Sequence, residues 1–104
     1  MSYDIYLSPP EQESVEVGNM TFNIGPMFNL AFGGYWVDII NGEVAREVHL
    51  KIDKAVKEME ESPNKYKALE PKNGWGSYEG ALKYLKKLNS ECWEHPDYII
   101  NIYK

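Results

Sequence analysis

Cys92 and His95, separated by two residues, have half the spacing of a zinc site, and His49 is the only other imidazole in the chain. Structural zinc takes four ligands, so these residues do not complete a site. Cys92 falls on the apolar stripe of the helix predicted around it, where a free cysteine acts as a small hydrophobe. His49 lies beside a stripe holding Val48 and Ile52, the usual place of a histidine satisfied by one hydrogen bond. No metal and no cofactor are expected. Acid–base chemistry would fall to Asp38, His49 or Glu79, and no spacing groups them. A nucleophilic serine or cysteine needs a base in hydrogen-bond reach, and the chain has no Gly-x-Ser-x-Gly elbow. Gly74-Trp75-Gly76-Ser77 lacks the lysine of a phosphate-cradling loop. A helix starting at Ser77 would still offer free amides to an anion, as most helices do. An enzyme is therefore the last of three readings, behind two kinds of binding protein.

Aromatic residues are the stronger lead. Eight Tyr, three Trp and three Phe make 13% of the chain. Gly74 and Gly76 allow backbone angles closed to other residues, so Trp75 can be held in a tight loop just before a helix. Tyr35, Trp36, Trp75 and Tyr78 lie in or beside loops, where a ring with a polar tip serves a planar ligand or a protein interface, or plugs the end of a small core. Asn23, Asn29 and Asn73 lie near these segments and can orient a ligand or shape a turn. The binding residues expected from sequence are Asn23, Met27, Tyr35, Trp36, Asn73, Trp75, Ser77 and Tyr78.

The elements that would position them follow from periodicity. Tyr3, Ile5 and Leu7 alternate with Asp4 and Tyr6 as in a half-buried strand, which Ser8-Pro9-Pro10 ends. Val15 and Val17, then Met20, Phe22 and Ile24, predict two short strands joined by a hairpin turn at Gly18-Asn19. Gly25-Pro26 and Gly33-Gly34 bracket a short, very apolar helix over 26–32, wrapped in core or partly presented to a partner. Residues 35–40 read as strand or irregular, before a turn at Asn41-Gly42. Val44, Val48, Ile52, Ala55, Val56 and Met59 recur at three- and four-residue steps, the stripe of a long helix over 43–61. Ser62-Pro63 starts a short second piece through Leu69, with Ser62 as its N-cap. Ser77 caps a last helix whose stripe is Tyr78, Ala81, Leu82, Leu85, Leu88 and Cys92. Inside its first turn Gly80 departs from the pattern, which suggests either close approach of another backbone or ligand, or a merely weak position. Tyr98 to Tyr103 reads as a closing strand. The whole predicts an α+β domain: a small, mainly antiparallel sheet of N-terminal strands plus the C-terminal strand, with two main helices packed on one face. Pairing of 3–7 with 98–103 would close nearly the entire chain.

Composition narrows the class further. With 104 residues and 43% apolar content, one domain can bury on the order of two-thirds of its unfolded surface. One cysteine makes no internal disulfide, and no apolar run approaches the ~20 residues that cross a bilayer. The start lacks a basic region followed by a long apolar stretch, so it reads as a strand and not as a secretion signal. A cytoplasmic location and no membrane are expected. A formal charge of −5 disfavours a nucleic-acid partner, whose backbone needs clustered lysine and arginine. Glu11, Glu13 and Glu16, like Glu58, Glu60 and Glu61, read as solvated faces.

In three places the chain resembles a family of small uncharacterised proteins scattered in bacterial, phage and plasmid genomes. These are Tyr3-Asp4-Ile5-Tyr6-Leu7, Asn23-Ile24-Gly25-Pro26-Met27, and Pro71-Lys72-Asn73-Gly74-Trp75-Gly76-Ser77-Tyr78 followed by Pro96-Asp97 and a final strand. The Asn-Gly-Trp-Gly segment is the specific one. The resemblance implies a shared fold and a mobile-element origin, and carries no mechanism. The leading expectation is a non-enzymatic intracellular binding protein that engages a host protein through one aromatic surface of segments 23–36 and 73–78. The alternative is a nucleotide-like ligand held between Trp36, Trp75 and the first turn at Ser77. An exposed apolar segment at 26–32 would favour a homodimer.

Overall fold

Alternation in the first strand sets the architecture. Along β1 (Ser2–Ser8) the side chains of Tyr3, Ile5 and Leu7 are buried, while Ser2, Asp4, Tyr6 and Ser8 between them stay half-buried on the opposite face. A strand with one apolar face needs a cover on that side only. The computed structural model describes residues 2–9, 15–72, 74 and 76–103, with Val15 and Phe22 described in backbone alone. In it β1 is the middle strand of a three-stranded antiparallel sheet, flanked by β2 (Val15–Thr21) and β3 (Ile99–Tyr103) in the order β2-β1-β3. The two long helices, α3 (Ala45–Glu61) and α5 (Tyr78–Glu94), pack on each other over the apolar face. The α+β class predicted from sequence is the one observed. Closure of the chain is observed too: β3 pairs with β1 from Asp4 opposite Tyr103 to Ser8 opposite Ile99.

Between residues 15 and 24 the outcome differs from the predicted hairpin. Gly18 faces Ile5 and Glu16 faces Tyr6, so Val17 is an extra residue and β2 is one bulged strand. Gly18 takes φ 137°, and the backbone freedom that a turn would use is what the bulge uses. The hydroxyl of Tyr84 on α5 donates to the Gly18 carbonyl at 2.7 Å and fixes the bulge. Phe22–Ile24 is not strand but a 3-10 turn. Thr21 Oγ1 accepts from the Asn23 amide at 3.3 Å and from its side chain at 3.1 Å, which bends the chain away from the sheet.

That turn leads into α1 (Gly25–Phe32), with Pro26 in its first turn as predicted. A second short helix, α2 (Trp36–Ile40), replaces the strand or irregular segment expected there; Trp36, Val37 and Ile40 are buried, a spacing too short to distinguish helix from strand beforehand. Residues 41–44 then run beside β3. Gly42 N–H donates to the Ile100 carbonyl, Ile100 N–H to the Glu43 carbonyl, and Ile102 N–H to Asn41 Oδ1. The outer edge of β3 is thereby shielded.

A proline shapes the end of α3. Pro63, in the first turn of α4 (Pro63–Lys67), has no N–H for the carbonyl of Met59 four residues earlier. The Tyr78 hydroxyl supplies the missing donor at 2.6 Å. Ser62, expected to cap α4, makes no side-chain cap bond. Ser77 does cap α5, accepting from the Gly80 amide at 3.0 Å. Among the described residues no other backbone approaches Gly80; the atom near a Cβ placed there is Ser77 Oγ at 3.0 Å. Among the described residues, no helix is long and apolar enough to cross a membrane.

Candidate binding groove

Asn29 organises the segment that carries an open surface groove against α3. Gly33 ends α1 with φ 76°, and its N–H and that of Gly34 both reach the Asn29 carbonyl. The Asn29 side-chain oxygen accepts from the Trp36 amide at 3.0 Å. The turn between α1 and α2 is thus tied at both ends to one residue. Because α1 and α2 are apolar nearly all round, they cannot hide every side chain against the sheet. Met27, Phe28, Trp36, Val37 and Ile40 go inward; Leu30 is 41% exposed, and Ala31, Phe32 and Ile39 are only half-buried.

Those outward residues form one wall of an open groove of about 670 Å³. The facing wall is a flank of α3. Lys51, Lys54, Glu58 and Glu61 follow at steps of three, four and three residues, which places them in one stripe, with Lys57 at its margin. The stripe runs about 15 Å along the helix axis. Lys57 is engaged by Asp53 at 3.2 Å, and Glu58 by Lys65 at 3.1 Å and the Tyr66 hydroxyl at 3.2 Å. Hydrogen bonds from Lys65 and then Tyr66 hold the Glu58 carboxyl below its ordinary range. Burial, reinforced by Glu58, pushes the Tyr66 phenol up to about 12. Lys51, Lys54 and Glu61 form no ion pair among the described residues. Lys54 acts on Glu58 only through space, so the charge outside contact ion pairs is positive at one end of the groove and negative at the other.

The residues expected to bind are distributed differently. Met27, Trp36 and Tyr78 belong to the core and present no aromatic surface. Trp36 is wholly buried, edge-on to Tyr3 and Phe28 at 4.8 and 5.1 Å, and its indole N–H has no hydrogen-bond partner among the described residues. Tyr35 is 39% exposed at the start of α2; Asn23 is exposed with its amide on Thr21; Ser77 spends its oxygen on the cap. Asn73 and Trp75 lie outside the described residues. Gly76, with φ 110°, lies against the Ile24 and Thr21 side chains, so close that a Cβ would fall 2.9 Å from Ile24 Cγ2.

The weaker chemical candidates are separated. Asp38 is in α2, Glu79 in the first turn of α5 near Lys67, and His49 lies against the exposed ring of Trp93 at 4.2 Å. Cys92 is buried, and burial pushes its thiol up to about 12, so the free thiol is protonated near neutral pH. Glu91, Glu94 and His95 gather within 4.8 Å, all at the end of α5, and among the described residues no ligand from a second element joins them. Sequence reading left open that the 26–32 segment, apolar except for Asn29, is partly presented, but did not single out Leu30, Phe32, Ile39 or the lysines opposite them. No family model, curated protein or solved structure matches the chain.

Proposed function

We propose that this chain is a non-enzymatic binding protein whose partner is another protein, engaged through the face built by segment 23–36. One observation carries the reading: Leu30, Phe32 and Ile39 keep apolar surface at a groove of about 670 Å³ whose other wall offers Lys51 and Lys54 without ion pairs. A small domain that leaves a second apolar face open beside uncommitted charge has the makings of an interface, with an apolar centre and a polar rim. In place of the buried Trp36 and Tyr78, the anchors in this reading are Leu30, Phe32 and Ile39. A nucleotide-like ligand stacked on Trp36 loses that wall, because Trp36 is wholly buried.

Native mass spectrometry of the protein drawn from a bacterial lysate, beside Leu30→Asp, tests the reading. A protein adduct on the wild type that Leu30→Asp lacks supports it. A small-mass adduct retained by both argues for ligand sequestration elsewhere. A homodimer abolished by Leu30→Asp makes the groove a contact between two copies.

A further inference from the structure

We infer that the groove between the end of α1 and α3 takes an amphipathic helix of the partner protein with acidic residues at one end and a basic residue at the other. This rests on the groove being the docking face.

The backbone argument selects a helix. Both walls are helical, so their amides and carbonyls are already paired within α1, α2 and α3. An extended segment laid along Leu30, Phe32 and Ile39 would leave its own backbone donors and acceptors unpaired against apolar surface, which is costly. A helix brings its hydrogen bonds with it and presents apolar side chains at steps of three and four residues. The groove's charged stripe of about 15 Å corresponds to about three turns of such a helix.

Charge then selects its sequence. Lys51 and Lys54, one helical step apart, face the groove without ion pairs, and Glu61 does the same at the other end, while Glu58 between them is held by Lys65 and Tyr66. Two carboxylates of the partner would meet the lysines and one cation would meet Glu61. Helices favour acids in their first turns and bases in their last. A partner helix of that ordinary kind would lie parallel to α3. A single-carboxylate amphiphile would answer one lysine and leave the other and Glu61 unmet. A polyphosphate would meet both lysines but set its charge against Leu30 and Phe32.

A displayed library of 18-residue helices tests this, with leucine at the apolar positions and Glu, Lys, Gln and Ser randomised elsewhere. It is selected on the folded wild-type protein. The expected winners carry glutamate in the first two turns and lysine in the last. They should bind the double variant Lys51→Glu, Lys54→Glu at least tenfold more weakly, and recover on it when the peptide's glutamates become lysines. Both lysines are solvent-facing and outside ion pairs, and a circular dichroism melt checks that the double variant folds. Winners lacking this charge pattern, or binding the double variant equally, overturn the inference while leaving protein binding intact. Displacement of the winners by dodecanoate at lower concentration than peptide assigns the groove to an amphiphile and overturns it as well. A library that yields no binder overturns both the inference and the proposed function.

Discussion

Segment 25–40 has two apolar faces with opposite fates. Phe28 packs on Trp36 and Trp36 on Tyr3 in the core, whereas Leu30, Phe32 and Ile39, from the same two helices, reach the surface opposite a lysine-bearing flank of α3. Ring type did not decide which residues stayed at the surface; position around the helix did. Large rings are costly to leave in water, so a small domain uses them first to fill its centre. What remains for recognition is the residue set that the core could not absorb.

The comparison predicts that changes on the inner face act on folding and changes on the outer face on binding. Trp36→Ala should give the largest effect, a loss of about 3–5 kcal/mol in urea unfolding, since it removes a fully buried indole. If Trp36→Ala melts like wild type, the inner face is not the core. Tyr78→Phe comes next, at roughly 1–3 kcal/mol, because it leaves the Met59 carbonyl, already deprived of an amide by Pro63, without a donor. An unchanged midpoint would mean that another group caps α3. Alkaline pH sharpens the contrast. The Cys92 thiol, pushed by burial from 9.0 up to about 12, and the Tyr66 phenol, raised from 10.0 to about 12, stay protonated in the fold and ionise on unfolding. Their contribution is complete below pH 9 and declines as pH rises towards 12. Thermal melts from pH 8 to 11 should show this decline, flattened at its lower end in Cys92→Ala. The smallest stability effect belongs to Leu30→Asp, within about 0.5 kcal/mol, although it should remove partner binding. A large drop in its melting temperature would place Leu30 in the core.

Much of the frame was legible in the sequence. The stripes of α3 and α5 and the pairing of both chain ends through β1 and β3 rest on long periodic runs, which local accidents do not disturb. Gly18-Asn19 was misread because a turn and a bulge both require the left-handed backbone that glycine allows. Residues 36–40 were too few to show a period. Tyr78 illustrates a subtler loss: its place beside a loop was visible, but its role depends on a proline fifteen residues earlier and on α3 and α5 lying side by side. The groove was illegible for a similar reason. Lys51 and Lys54 read as ordinary solvated residues until α1 is placed opposite them.

The guarded edge of β3 also bears on how many copies of this sheet can join. Residues 41–44 occupy the hydrogen-bonding groups on that side, and among the described residues no strand pairs with the outer edge of β2. A sheet with two open edges can extend without limit, copy upon copy, whereas a sheet with one can accept a single neighbour. Strand pairing between molecules of this chain is therefore obstructed on the β3 side, so the sheet does not offer both of its edges to neighbouring copies.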